Sequence, residues 1–376
     1  MNKDIERKIL LNPGPATTTD TVKMAQVIPD ICPREKEFGE LMAEIRKDLL
    51  KIVNANQEKY STVLFGGSGT AVMESVVSSV TSKEKTLLIL INGAYGDRMK
   101  KIAETYSIPY RILEYEWGKT INFSKVESYL KSNLDIGYIA MVHHETTTGI
   151  INSIESFSEL GKKYEHTLIL DAISSYAGVP IDLEKTPIDF IMSTSNKCIQ
   201  GMPGLGFIIC NKKKIYNLKK IQPRSFYLSL YDEYINVTKT GQSRFTPPVQ
   251  VIYALRKAID ELFVEGVKNR YKRYHDNMNF LRKGLKDLGF KFLLKEECES
   301  GILLSIIEPT ASSYSFEKMH DYFYENGITI YPGKLINNNT FRLAIIGDLQ
   351  KKDLQKIVME FKSFLMKSSL YENIYS

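Results

Sequence analysis

Between about residues 58 and 210, short apolar runs alternate with longer stretches in which apolar and polar residues mix at helical spacing. The runs are short and rich in aliphatic residues, so they read as strands covered on both faces. They predict strands at 61–65, 86–91, 138–142, 167–170, 190–194 and 206–210. Helices are predicted after most of them, for example at 70–80 behind a glycine-rich turn, and at 156–164 ahead of the fourth strand. That rhythm is the one of βαβ units and implies a mostly parallel sheet.

Past Thr246-Pro247-Pro248 the pattern changes to a single helical stretch, about 248–288, rich in Lys, Arg and Glu. The remainder predicts strands at 290–294 and 302–307, a helix at 316–326, strands at 328–331 and 340–346, and a helix at 350–367. The expected architecture is α/β: a large domain over 20–255 with a mostly parallel central sheet, and a small α+β domain over 256–376. Residues 1–19 are expected to join the small domain.

With 376 residues, 43% of them hydrophobic and 25% charged, the chain is long enough for a large core and a second, smaller one. Its 50 Lys and Arg against 44 Asp and Glu give a net charge of +6, scattered rather than gathered into a stripe or tail. That distribution argues against nucleic acid as a partner. The charged start lacks the apolar centre of a signal peptide, and no later run reaches membrane-spanning length. A cytoplasmic protein with no membrane partner is therefore expected. Cys32, Cys198, Cys210 and Cys298 form no C-x-x-C pair, and His143-His144 lack a third ligand at a metal spacing. Neither a disulfide framework nor a bound metal is expected.

Three segments carry the candidate chemistry: His143-His144-Glu145-Thr146-Thr147-Thr148-Gly149, Leu170-Asp171-Ala172-Ile173-Ser174-Ser175, and Ser193-Thr194-Ser195-Asn196-Lys197. Lys197 follows an apolar strand and precedes a glycine-rich stretch. It is either one more surface charge or a nucleophile, and burial beside a cationic ring favours the neutral amine that attacks an aldehyde. Asp171 ends an apolar run at the edge where open α/β sheets bind ligands. It reads as a helix cap or as the carboxylate that keeps a pyridine nitrogen protonated, as pyridoxal 5'-phosphate chemistry requires.

The turn Gly66-Gly67-Ser68-Gly69-Thr70 opens a helix and is either a common glycine turn or a site where the N–H groups and hydroxyls of Ser68, Gly69 and Thr70 face an anion such as a phosphate. It is neither a Walker A loop nor a dinucleotide fingerprint, which disfavours ATP and NAD. Tyr95, between small residues, either lies against a planar cofactor or packs on a neighbouring loop. The Thr146-Thr147-Thr148 run, with Thr147 at its centre, offers a hydroxyl to the ring or forms a local turn. Arg342 sits in the apolar run 341–346, where a guanidinium needs either a substrate carboxylate or an internal acid. Thr246 belongs to a stiff Thr-Pro-Pro turn that fixes its hydroxyl.

In this order the segments resemble the class V aminotransferases of the fold-type I pyridoxal phosphate superfamily, and within them the 2-aminoethylphosphonate:pyruvate transaminases. The resemblance runs almost end to end. It rests on Leu11-Asn12-Pro13-Gly14-Pro15, Gly67-Ser68-Gly69-Thr70, Asn92-Gly93-Ala94-Tyr95-Gly96, Glu145-Thr146-Thr147-Thr148-Gly149 and Asp171-Ala172-Ile173-Ser174-Ser175. It continues through Asn196-Lys197-Cys198, Phe245-Thr246-Pro247-Pro248, Tyr331-Pro332-Gly333-Lys334 and Phe341-Arg342.

The resemblance implies that Lys197 condenses with pyridoxal 5'-phosphate and shuttles the Cα proton, and that Asp171 pairs with the ring nitrogen. It implies that Ser68, Gly69 and Thr70 hold the phosphate, that Tyr95 and Ile173 cover the two ring faces, and that Thr147 bonds the ring. Asn12, Gly14 and Arg342 are placed at the substrate, with Arg342 on a carboxylate. Thr246 is expected to reach the phosphate from the second subunit of a homodimer. The reaction so implied moves the amino group of a small amine donor, 2-aminoethylphosphonate, to the 2-oxo acid pyruvate, giving phosphonoacetaldehyde and L-alanine.

Two departures bear on the donor. Asn12 stands where threonine is usual, and Arg34 before Glu37-Phe38 is similar to alanine:glyoxylate and serine:pyruvate transaminases. Alanine and serine therefore remain alternative donors. Arg34, Lys36, Arg244 and Lys334 are either lining for an anionic pocket or surface charges. Cysteine desulfuration, with Cys298 as its loop thiol, and a non-catalytic binding module are the rivals from other classes.

Overall fold

The computed structural model describes residues 7–333, 339–368, 370 and 374–375, so Lys334 lies outside the described residues. Each apolar run between 58 and 210 is a strand of one seven-stranded sheet. In chain order its strands are β1 (Tyr60–Gly66), β2 (Thr86–Ile91), β3 (Tyr110–Glu114), β4 (Ile136–Val142), β5 (Thr167–Asp171), β6 (Phe190–Thr194) and β7 (Leu205–Asn211). They lie side by side in the order β1-β7-β6-β5-β4-β2-β3. Only β7 runs against its neighbours; the pairs β2–β3, β2–β4, β4–β5 and β5–β6 are parallel.

Alternation along each strand divides the sheet's side chains between two cores. Leu88, Leu90, Met141, Leu168, Leu170 and Ile191 enter one, whereas Leu87, Ile89, Ile91, Ile169, Phe190 and Met192 enter the other. Both faces are thus covered, the first by helices Lys36–Ile52 and Val249–Glu265, the second by Gly69–Val80 and Ala94–Thr105. A third core gathers Ile9, Leu11, Met278, Phe290, Phe323, Phe341 and Phe361 under an antiparallel ladder of Leu303–Ile307, Thr340–Ala344 and Tyr331–Pro332. Ile9–Leu10 pairs in parallel with Ile328–Thr329, which ties the first described residues to this small sheet.

Three expectations change. The long helix over 248–288 is two helices, Val249–Glu265 and Val267–Asp287, because Gly266 sits at φ 87°, ψ 133°, outside any helical conformation. Residues 290–294 make only a single bridge, Phe292 to Ile306, rather than a strand. The run 328–331 is split because the chain changes sheets there: Ile328–Thr329 pairs with Ile9–Leu10, and Tyr331–Pro332 with Thr340–Ala344. Among the described residues no helix is long and apolar enough to cross a membrane.

Candidate active site

Because β1, β2, β4, β5 and β6 share a direction, the loops after them leave the same edge of the sheet. Those loops carry Ser68 to Thr70, Asn92 to Tyr95, His143 to Thr148, Asp171 to Ile173 and Lys197. Strand ends of one sense converge there with helix N-termini, the usual place for a ligand in an open α/β sheet.

Lys197 is half-buried in the turn after β6, and its Nζ donates to the Pro13 carbonyl. The segment 12–15 therefore crosses directly over the amine, and a Cβ on Gly14 would overlap the lysine side chain. Ala16 N–H donates to Asn196 O at 3.0 Å, and Ala344 N–H to Leu11 O at 2.7 Å. These bonds stitch the lysine turn to the small sheet. Burial pushes the amine's pKa down to about 8, an effect that nearby Arg342 and Arg98 reinforce and that Cys198 and Asp171 oppose.

Asp171, 3% exposed at the end of β5, accepts from Ile173 N–H at 2.8 Å through Oδ1. Burial raises its pKa to about 7, and Glu145 adds to the shift. Ile173 in turn packs on Gly69, where an added Cβ would stand 3.0–3.4 Å from the isoleucine side chain. Gly69 opens the helix Gly69–Val80, whose N-cap Ser68 makes no side-chain cap bond. Among the described residues the N–H groups of Ser68, Gly69 and Thr70 have no acceptor. They are open donors at the positive end of a helix.

Arg342 lies 3% exposed in the strand Thr340–Ala344. Nε and Nη2 donate to Pro332 O at 3.2 and 2.9 Å, and Nη1 donates to Thr146 O at 3.0 Å. No carboxylate among the described residues pairs with it, so its charge is held in place but not cancelled. Asn12 is buried, with Nδ2 on Pro15 O at 3.3 Å and Oδ1 without a partner. The Thr146 and Thr148 hydroxyls are likewise buried and unpartnered.

A family model described as aminotransferase class-V matches residues 21–339. The chain belongs to the class-V aminotransferases. It is 39% identical over 358 residues to a 2-aminoethylphosphonate–pyruvate transaminase of Phocaeicola vulgatus, covering 94% of this chain and 98% of that one. It is 39% identical over 359 residues to a bifunctional phosphonoacetaldehyde hydrolase/aminoethylphosphonate transaminase of Clostridioides difficile, spanning 95% of this chain and 56% of the longer relative. Among solved structures, the ureidoglycine–glyoxylate aminotransferase of Bacillus subtilis superposes with a TM-score of 0.89 at 21% identity, covering 98% of this chain and 95% of that one. Neighbours of this kind carry the fold-type I architecture that the sheet and the small α+β unit display.

Within this class-V fold, Lys197, Asp171, Ile173, Gly69, Ser68, Thr70, Tyr95, Thr147, Asn12, Gly14 and Arg342 lie on segments that meet at one edge of the sheet. Thr246 does not join them in a single chain. It is exposed, in a loop that lines a crevice with Phe65, Gly66 and Tyr227. The basic residues Arg34 and Arg244 are occupied elsewhere. Arg34 donates to Ser243 O at 2.5 Å and Arg244 O at 3.2 Å, and Arg244 lies over the rings of Phe226 and Phe245. Lys36 pairs with Glu40 on the surface. His143 bonds Ser175 Oγ at 2.8 Å and burial lowers its pKa to about 3, so it is a neutral structural ring.

Sequence reasoning passed over Glu145 and Arg98. Glu145 is fully buried; Oε2 accepts from Tyr95 N–H at 3.1 Å and Gly96 N–H at 3.4 Å, and Oε1 from Thr147 N–H at 3.2 Å and Thr147 Oγ1 at 2.6 Å. It thereby clamps the start of the Ala94–Thr105 helix to the threonine run. Burial raises its pKa, and the bonds from Thr147, Tyr95 and Gly96 oppose the rise. A carboxylate inside an otherwise uncharged run, 143–149, was the available signal. Replacing Glu145 by Ala strands these donors and is expected to cost about 2 kcal/mol or more. The cost is read as a lower melting temperature, and an unchanged one would remove the clamp from the account.

Proposed function

We propose that this class-V aminotransferase uses pyridoxal 5'-phosphate to move the amino group of 2-aminoethylphosphonate to pyruvate, yielding phosphonoacetaldehyde and L-alanine. The observation that carries the reading is that a desolvated lysine, a buried aspartate not bonded to it and an open helix N-terminus share one edge of the sheet. Those groups fit this cofactor end by end. Asp171 has a buried carboxylate held by one backbone bond, suited to a pyridinium nitrogen. Ser68, Gly69 and Thr70 present unspent donors, suited to a phosphate. Tyr95 and Ile173 would cover the ring, and Thr147 would stand beside it. Bound there, the cofactor supplies an aldehyde that takes up amino groups and a ring that accepts the electrons released when a C–H bond breaks.

The chain's own residues supply positioning and proton transfer. Lys197 Nζ, neutral above about pH 8, is the base that would remove the proton from the amine-bearing carbon and return it two atoms away, on the carbon across the nitrogen. Asp171, as a carboxylate, would hold a proton on the ring nitrogen by its negative charge, and that cation would in turn offset the burial that raises its pKa. Arg342 has three of its five N–H groups on backbone carbonyls, leaving two in a fixed direction for the carboxylate of pyruvate. The segment 12–15 lies over the amine and keeps water from it. Relatives 39% identical that act as 2-aminoethylphosphonate transaminases support this donor. The bifunctional relative also joins its aminoethylphosphonate transaminase to a phosphonoacetaldehyde hydrolase, which acts on the aldehyde this reaction would form.

We further propose a cytoplasmic homodimer in which Thr246 completes the partner's phosphate site. An exposed aromatic patch supports it: Phe226 is 78% exposed, and Phe245 stacks on Tyr227 at 5.3 Å beside Thr246. Mixing inactive Lys197→Ala and Thr246→Ala chains should restore activity in hybrid dimers, with dimer mass read by light scattering. No recovery, or a monomer, refutes the shared site.

Purified enzyme with cofactor, pyruvate and 2-aminoethylphosphonate should form alanine, and Lys197→Ala should form none. Alanine made from other amines but not from this one would displace the donor. The rate at which stripped enzyme recombines with pyridoxal 5'-phosphate should climb with pH to a midpoint near 8, because only the neutral amine attacks the aldehyde. Absorbance of the bound cofactor follows it, and a midpoint near the usual lysine value of 10.5 would contradict a desolvated Lys197.

A further inference from the structure

Arg98 is a cation without the usual company. It stands half-buried on the helix Ala94–Thr105, three residues after Tyr95 and so on the same face. Its Nη1 donates to Thr70 Oγ1 at 3.1 Å, and its guanidinium carbon lies 4.7 Å from the centre of the Tyr95 ring. Other arginines are matched. Arg270 and Arg273 share Glu265, Arg256 has Asp48 and Asp260, Arg282 has Glu299, and Arg342 has three carbonyl bonds. Among the described residues, Arg98 is the one arginine with neither a carboxylate nor a backbone carbonyl as partner.

A hydroxyl has one proton to give and two lone pairs to receive with. Since Arg98 supplies the proton in its bond to Thr70, the Thr70 hydroxyl proton is directed elsewhere, and among the described residues nothing accepts it. Thr70 is the second residue of the helix Gly69–Val80, so that proton joins the unspent N–H groups of Ser68, Gly69 and Thr70. The result is a cup of donors backed by an unneutralised charge. The helix end alone supplies only partial charge, whereas a phosphate dianion calls for more. Arg98 is also near enough to Asp171 and Lys197 to lower the proton affinity of both.

We propose that Arg98 is a positioning residue of the cofactor site: it fixes the Thr70 hydroxyl as a donor to the cofactor's phosphate and supplies the charge that the helix end lacks. The inference rests on the cofactor reading above and deepens it. A tetrahedral phosphorus oxyanion is the chemistry recognised. The bond to Thr70 places Arg98 at the cofactor's phosphate rather than at a donor's phosphonate.

The test compares pyridoxal 5'-phosphate with pyridoxal, which lacks the phosphate, by fluorescence titration of full-length enzyme stripped of cofactor. Arg98→Gln should weaken binding of the phosphorylated compound on the order of tenfold or more, the worth of a charge-assisted hydrogen bond, and leave pyridoxal binding unchanged. Arg98→Lys keeps the charge without the fork and should retain part of the preference, which holds the test open if the glutamine variant folds poorly. Equal loss for both compounds would mean that Arg98 acts only through the Tyr95 ring, and would overturn the proposal. So would unaltered cofactor binding with a raised KM for 2-aminoethylphosphonate, the result expected if the donor's phosphonate were the target. Wild-type enzyme that binds neither compound would instead refute the cofactor reading, and this inference with it.

Discussion

Charge held out of water without a full set of partners is the condition on which this site depends. Lys197 touches a carbonyl, Asp171 one amide, Arg98 one hydroxyl and Arg342 two carbonyls, and no two of them form an ion pair. Each such group costs folding energy in proportion to its burial, and each is correspondingly strong toward a ligand that completes it. Had the amine and the carboxylate paired directly, both would have been stable and neither reactive. Burial, only partly opposed by their mutual attraction, lowers the proton affinity of the lysine and raises that of the aspartate, and the first shift is the one a base at a carbon needs.

The sheet is what makes that condition affordable. Its strands are apolar on both faces, with Leu87, Leu88, Ile139, Ile169 and Ile191 all fully buried, so the loops at their ends are held to a rigid frame. Glu145 then fixes one loop to another, and the 11–16 segment ties the lysine turn to the small sheet. These contacts convert a general α/β edge into one arrangement of donors and acids.

Much of this was legible from the chain. The strands 86–91 and 190–194 coincide with the structure to the residue, because an apolar run of that length has only one way to be buried. β3, absent from the expected strands, is an edge strand whose Arg111 and Glu114 face water, which breaks the apolar run that marked the others. The helix Lys36–Ile52 escaped notice although Phe38, Met42, Ile45 and Leu49 repeat at helical spacing, since charged residues between them dilute the pattern. Gly266 falls inside the expected 248–288 helix, and its positive φ ends one helix and opens the next. At the site, residues whose chemistry is their own, such as Lys197 and Asp171, could be named from context. Glu145 and Arg98 are defined by what they touch, across 49 or 50 positions for the Glu145 bonds to the helix start and 28 for Arg98 and Thr70, and no local pattern reports that.

The pairing of Ile9–Leu10 with Ile328–Thr329 has a consequence for biosynthesis. A segment made at the outset cannot dock until its partner strand, more than three hundred residues later, has left the ribosome. The small sheet is therefore completed only after most of the polypeptide has been translated, whereas the contacts of 13–16 with Asn196 and Lys197 need only the chain up to the lysine turn.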